Sequence, residues 1–342
     1  GRQQENGAWM EHPAVTSLAC TAIANSGELS EAEEDAVNRG LDYVKTFLQD
    51  DGSIWNAEIE QYPNYSTAVS LIAFVVVDRP QDQALLRAAR GFILGSQFKD
   101  EAADGVFYGG IGYGKQLRPD LSNTQWALEA LYLTDHLDRE PATTDPAAAE
   151  RSELAWERAR EFLKQVQNLP EVNDQVWVAS DPENRGGFVY MPGESKAGTV
   201  ETEDGVDALR SYGSMGYAGL KSLIYARLDR DDPRVKAVVE WIRKNYTFDE
   251  NPGMKDAGYY YYMHTAAKAL AVFGADVFTA ADGTQDDWRQ SLSGALIKRQ
   301  QEDGSWVNEN GRWWESAPEL VTSYAVLALE IAAGNEAVAT AK

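Results

Sequence analysis

The chain has 342 residues, an apolar fraction of 44% and a formal charge of −23, from 54 acidic and 31 basic side chains. Ten Trp, sixteen Tyr and ten Phe are enough to fill a core, which argues against a disordered chain. The negative charge argues against nucleic acid, because affinity for a phosphate backbone comes from Lys and Arg displacing counterions, and it disfavours an anionic membrane surface. One cysteine, Cys20, excludes an intrachain disulfide and a cysteine-rich metal cluster.

In chain order, residues 12–24, "HPAVTSLACTAIA", form an apolar helical run. Residues 30–48 follow as an amphipathic one: Ser30 and Glu33 have capping-box spacing, and Val37, Leu41, Val44 and Leu48 recur at helical intervals. Gly52 ends this unit in a turn before Trp55, and residues 65–74 start a second apolar helix rich in small side chains. A charged helix followed by an apolar one predicts an outer and an inner layer. The pair recurs. Outer patterns lie at 83–97, 154–167, 232–246 and 287–301, and inner ones at 121–133, 211–226, 262–273 and 318–332.

Six inner and five outer helices result, and the sixth outer helix would precede Arg2. Self-similarity at about 50 residues, one helix pair per repeat, predicts an open solenoid or a closed ring. No apolar run approaches the roughly 20 residues of a membrane span, and no signal peptide is visible. The sequence opens inside a structural unit, so an upstream segment is expected and the compartment stays open.

Two insertions break the spacing. The first contains "GGIGYG" (109–114), but no strand precedes it as a dinucleotide loop requires, so its glycines are expected to turn the chain tightly over a mouth. The second, 168–209, exceeds ordinary connections and is a lid candidate. Within it "GGFVYMPGES" reads as a short β-hairpin. Glu201, Glu203, Asp204 and Asp207 read either as a solvated acidic loop or as a cation site and general acid beside Arg210.

The segments "RQQENGAW", "QDDGSIW" and "RQQEDGSW" resemble the QW motifs of squalene and oxidosqualene cyclases, and the helix pairs resemble the repeat shared with protein prenyltransferase β subunits. The resemblance runs along essentially the whole chain. It implies an all-α (α/α)6 toroid, one domain over 1–342, with a central cavity and a site where inner-helix N-termini meet the long loops.

The chemistry of those families is only partly matched. Class II cyclases protonate an alkene with an acid in a DxDD motif followed by Thr; here "DLSNT" offers Asp120 and Thr124, with Ser122 and Asn123 at the later acidic positions. Neither a hydroxyl nor an amide donates a proton strong enough for an alkene, so Asp120 is the surviving acid, or else Asp120 or Ser122 caps the next helix. Prenyltransferases hold zinc through Asp, Cys and His. "YYYYMHT" places His264 at the histidine, but Ser211 and Leu209 stand at the other two ligands, with Asp207 two residues away, so no metal or cofactor is expected.

His264 and Tyr261 are then base or cation-stabilising candidates, although a lone histidine also suits a hydrogen-bonded core position. At least two of Tyr259 to Tyr262 are expected to face the cavity. Alignment of the inner helices places His12, Ser66, Asn123, Ser214, His264 and Thr322 at one end. Tyr65, Asn123, Trp126, Arg210, Tyr212, Tyr260, Trp313 and Trp314 form the expected binding set. An aromatic mouth suits an isoprenoid or another bulky apolar guest, and equally sugar rings. Three functions follow: a terpenoid cyclase or prenyltransferase-like enzyme; a carbohydrate enzyme such as a polysaccharide lyase, with His264, Asn123 and Arg210 around a uronate; or a binding protein that kept the toroid without the chemistry.

Overall fold

A computed structural model of the protein describes residues 2–59, 62–99, 105–114, 117–139, 147–201, 205 and 207–334, apart from the side chain of Leu154. In chain order its elements are α1 (Pro13–Ala24), α2 (Glu31–Lys45), α3 (Pro63–Val77), α4 (Gln83–Ser96), α5 (Leu121–Leu133), a single turn α6 (His136–Arg139) and α7 (Ala148–Gln165). Strands β1 (Thr199–Glu201) and β2 (Asp207–Leu209) precede α8 (Gly213–Tyr225), α9 (Pro233–Lys244) and α10 (Tyr259–Phe273). Strands β3 (Phe278–Thr279) and β4 (Gln285–Asp286), then α11 (Trp288–Ile297) and α12 (Pro318–Ala332), complete the set.

The ring is closed. Each of α1, α3, α5, α8, α10 and α12 packs against the next, and α12 packs back against α1. Around this inner ring stand α2, α4, α7, α9 and α11, so the described residues give an (α/α) toroid with six inner and five outer helices. The layers follow from composition. Inner helices are buried over most of their surface, as in α3, whose residues from Ser66 to Phe74 are all buried. The outer α2 buries a stripe of Val37, Gly40, Leu41 and Val44 and opens on a Ser30–Glu33 capping box. Leu48, expected on that stripe, falls in the turn after α2 and is 37% exposed. Pro13, Pro63 and Pro318 open three inner helices, where the missing N–H has no helical acceptor to lose.

The octapeptide that occurs at both ends of the chain is a joint, and its geometry repeats closely. Gln4, Gln49 and Gln301 donate their main-chain N–H to Ala8, Ser53 and Ser305 at 2.9, 2.8 and 2.8 Å. The following residue, Trp9, Ile54 or Trp306, donates its N–H to a threonine of the next inner helix, Thr16, Thr67 or Thr322, at 2.9, 2.8 and 3.1 Å. Ile111 does the same to Thr124 at 2.9 Å. Thr322 therefore latches a joint.

The joint also grips the neighbouring outer helix. Gln3 Nε2 donates to Gly7 O at 2.9 Å and to Ala36 O of α2 at 2.8 Å. Gln97 does so to Gly109 O and Ala155 O of α7, and Gln167 to Gly186 O and Arg234 O of α9, all between 2.8 and 3.0 Å. Three residues further along each outer helix, a carbonyl presses on the joint glycine. A β-carbon on Gly7, Gly109 or Gly186 would stand 2.4, 1.8 or 2.3 Å from the carbonyl oxygen of Arg39, Arg158 or Ala237, and one on Gly52 would stand 2.4 Å from Ala88 O of α4. Glycine is required because the backbones touch. The reading of "GGIGYG" is corrected at its first two glycines: Gly109 faces Arg158 and Gly110 the Phe162 ring, so these press on α7, while Tyr113 further on accepts from Asn64 N at the start of α3 at 3.0 Å.

The expected hairpin at 186–195 is present at its tip alone: Met191 and Glu194 pair antiparallel around Pro192 and Gly193, exchanging N–H···O bonds at 3.2 and 3.0 Å, while Phe188 bridges to Gln167 in a separate isolated pair. The antiparallel strands of this insertion are β1 and β2. Glu203 and Asp204 lie outside the described residues, while Glu201 and Asp207 are exposed. No described helix is long and apolar enough to cross a membrane.

A candidate ligand chamber at the inner-helix N-termini

A cavity of about 250 Å³ opens where the inner helices begin, and all six contribute to its wall either directly or through the residue just ahead of them. Tyr62 and Tyr65 come from α3, Ser122 and Trp126 from α5, Tyr212 and Met215 from α8, Tyr261 from α10, and Leu320 and Tyr324 from α12. His12 caps α1, its Nδ1 accepting from Ala14 N at 3.2 Å, so this ring nitrogen is an acceptor. Loops supply Tyr113, Tyr190, Lys196, Trp313, Trp314 and Glu315. Trp313 and Trp314 are 44% and 50% exposed, and both sit in the left-handed region at φ 56° and 66°. Two adjacent tryptophans held there carry backbone strain of roughly 1–2 kcal/mol each.

Asp120 lies one layer behind this wall. It caps α5, with Oδ1 accepting from Asn123 N at 2.8 Å and Oδ2 from the Asn123 side-chain amide at 2.7 Å. Its third partner is the Tyr190 hydroxyl, and Tyr190 lines the cavity. The insertion is fixed here by its main chain as well, since Leu121 N donates to Tyr190 O at 2.7 Å. Burial pushes the Asp120 carboxyl up to about 7, against the downward pull of Asn123, Tyr190 and the Lys196 ammonium. Burial and the Asp120 charge together push the Tyr190 phenol well above its ordinary range. The sequence signalled Asp120 but not Tyr190, which sits in an irregular loop 70 positions downstream with no motif around it.

Tyr261 exchanges a hydrogen bond with Ser122 at 3.1 Å and accepts one from the Gln125 amide at 3.3 Å. The other three tyrosines turn away, because a helix spreads adjacent residues around its axis. Tyr259 and Tyr262 donate to Phe248 O and Thr247 O, and Tyr260 packs edge-on against Tyr259. One of the four lines the chamber, where at least two were expected. Glu315 lines it too, but its Oε1 accepts from Tyr261 N at 2.8 Å and its Oε2 from the Asn308 amide at 2.6 Å, so it caps α10.

His264 sits in the second turn of α10, 2% exposed, between the Trp126 and Tyr324 rings at 5.4 and 5.6 Å. Burial, reinforced by the Lys268 ammonium, pushes its imidazole down to about 3, so the ring is neutral at ordinary pH. Beneath this aromatic layer Glu129 receives Lys221 Nζ at 2.6 Å and Lys268 Nζ at 2.5 Å, all three side chains at most 3% exposed. Burial would raise the Glu129 carboxyl, but the two ammonium groups outweigh it and hold it at about 2.

Of the expected binding set, Tyr65, Trp126, Tyr212, Trp313 and Trp314 line the chamber. Asn123 faces Asp120 instead, Tyr260 points away, and Arg210 is exposed, donating to Thr199 O at 2.9 Å within the insertion. Leu209 and Ser211 are buried at the base of that insertion, Ser211 bound to Asn168 and Asn184, and Asp207 is exposed beyond them. Among the described residues no three His, Cys, Asp or Glu side chains are grouped to hold a metal ion.

The fold and chamber define the class: an α/α toroid with a ligand-sized cavity at one end of its inner ring. No protein-family model matches the chain, and neither does any curated protein sequence. Solved structures do match it as folds. They include an α-amylase from Clostridium perfringens, at a TM-score of 0.55 and 12% identity over 94% of this chain and 86% of that chain. Protein geranylgeranyltransferase-I from Candida albicans, complexed with GGPP, matches at 0.52 and 14% over 93% and 83%, and the GH76A α-1,6-mannanase from Salegentibacter at 0.52 and 11% over 96% and 95%. Three activities on one scaffold assign this chain the scaffold alone.

Proposed function

We propose that the chamber binds a bulky apolar molecule of isoprenoid type carrying one polar group, and that Asp120 and Tyr190 exchange a proton with that group. The observation that carries this reading is the Asp120–Tyr190 couple set in an aromatic wall. A carboxyl held near neutrality is matched to general acid–base work at ordinary pH, and the phenol relays its proton across the layer that separates it from the guest. It is far too weak an acid for an unactivated alkene. The expected chemistry is therefore on a hydroxyl, carbonyl or epoxide of the guest, with aromatic faces stabilising positive charge that develops nearby. Tyr261, with Ser122 beside it, is the second hydroxyl placed to orient that polar group, and Trp313 and Trp314 close over the chain. His264, neutral and stacked, supports Trp126 and is not placed as a base.

Glycoside hydrolysis by the usual route needs two carboxyl groups flanking the bond. Among the lining residues Glu315 is the single carboxylate, and both its oxygens are engaged. A lyase centred on Arg210 and His264 has its cation outside the chamber and its imidazole behind the wall. The test is to incubate purified protein with a panel of polyprenyl alcohols, epoxides and squalene and with manno- and malto-oligosaccharides, following tryptophan fluorescence for binding and mass spectrometry for conversion. Isoprenoid binding that Trp314→Ala weakens, with conversion lost in Asp120→Asn and Tyr190→Phe, supports the proposal. Binding of the saccharides alone overturns it, and conversion unaffected by both substitutions overturns the role of the couple.

A further inference from the structure

We propose that Lys196 selects the guest of the chamber, taking one whose polar end is a carboxylate and rejecting one that ends in an amine. This rests on the isoprenoid-type reading above and names the guest's polar group as a carboxyl bound in its ionised form. Among the residues that line the chamber, Lys196 carries an ammonium and Glu315 a carboxylate. Glu315 is engaged at the start of α10 through both oxygens, so its charge is turned away from a guest. Lys196 is not engaged in that way.

The insertion fixes where the ammonium stands. Met191 and Glu194 pair across the turn before it, and the Ser195 hydroxyl donates to Arg210 O at 2.5 Å. Lys196 Nζ lies 4.3 Å from the centre of the Tyr190 ring, whose hydroxyl reaches Asp120. One loop therefore brings a positive charge and the phenol of the couple to the same stretch of wall. The counter-charge of Lys196 is Glu194, with side chains 25% and 48% exposed. An ion pair so open to water contributes little, so a guest carboxylate can take the place of Glu194 at the ammonium.

The rest of the wall gives the guest its direction. Tyr65, Trp126 and Tyr324 are uncharged and take the apolar chain, while the end group stays at Lys196. One ammonium matches one negative charge; a guest with more would leave charge unpaired close to Asp120, itself partly ionised near neutrality. Arg312, the nearby cation of the Trp313 loop, stacks on that ring at 4.2 Å and does not line the chamber. At long range the chain works the other way, since a net charge of −23 draws cations and repels anions. Preference for an acid therefore reports the local ammonium and not the overall field.

The experiment compares farnesoic acid, farnesol and farnesylamine on the intact protein by tryptophan fluorescence. It is run at about pH 8, where the carboxyl is ionised and the amine protonated. The acid is expected to bind at least about tenfold more tightly than the amine. Lys196→Met should bring the two within about threefold and Lys196→Glu should reverse their order, with farnesol changed less than about twofold throughout. Lys196→Arg keeps the charge and should keep the preference, and Glu194→Gln, on the exposed side, should tighten the acid alone. Equal affinity for acid and amine, an acid preference that survives Lys196→Met, or an acid affinity indifferent to Glu194→Gln overturns the role of Lys196 while isoprenoid binding stands. If none of the three probes binds, the isoprenoid reading fails and the role of Lys196 with it.

Discussion

The side-chain amide of Asn123 donates to Asp120 Oδ2 at 2.7 Å from a position where the cyclase-like motif would carry an acid. An acid there would share or donate a proton and sharpen its neighbour; an amide donates a hydrogen bond that favours the ionised carboxylate. Burial still prevails, so Asp120 titrates near 7. Removing a donor, by Asn123→Ala or Tyr190→Phe, is expected to move the Asp120 titration further up, read by carboxyl carbon NMR against pH. No movement in either variant would show that the two contacts do not act on this carboxyl.

The same carboxyl sets a pH dependence of stability. Its folded value lies above the ordinary 3.8, so between about 4 and 7 the native state holds more protons than the unfolded one, and stability falls as pH rises through that window. Denaturant unfolding of wild type and Asp120→Asn at pH 5 and pH 8 should show the wild type losing more stability on alkalinisation. Parallel behaviour of the two proteins would contradict it.

His264 has the opposite sign. Its folded value of about 3 lies below the ordinary 6.5, so acidification below about 6.5 costs stability as the unfolded state takes up the proton first. Imidazole NMR should show no titration of His264 between pH 5 and 8. His264→Phe keeps the stack between Trp126 and Tyr324 and should retain most stability, whereas His264→Ala opens a cavity costing about 3 kcal/mol.

Glu129 is the shared counter-charge of two lysines that are almost without solvent. Glu129→Gln leaves both ammonium groups buried without a counter-charge and is expected to cost about 3–5 kcal/mol. Replacing the set together, Glu129→Leu with Lys221→Met and Lys268→Met, should recover much of that loss. A single substitution that is neutral by thermal melting would mean water reaches the triplet.

The joints differ in what a methyl group meets. Gly109→Ala drives its β-carbon into the Arg158 carbonyl, whereas Gly304→Ala meets only the mobile end of Gln300. Both incur left-handed strain of about 1 kcal/mol, so Gly109→Ala should lower the melting temperature well beyond Gly304→Ala. Equal effects would remove close approach as the reason for glycine at the joint.

Much of the scaffold is readable from order along the chain, because its signals are local. The Ser30–Glu33 cap, the apolar stripe of α2, the proline at the start of α1 and the repeated Gln-Gln and Gly turn are each set within about ten residues, where helix periodicity and turn stereochemistry act. The closed toroid was expected from the resemblance of the joints and helix pairs, whereas the site obeys longer distances. Which of four tyrosines faces inward, that Glu129 joins Lys221 and Lys268 from two other helices, and that an irregular loop delivers Tyr190 to Asp120 all depend on curvature accumulated over six repeats and on which buried polar groups find partners there. Tertiary packing alone decided these, since no local pattern records the neighbour that a side chain will meet 70 or 139 positions away.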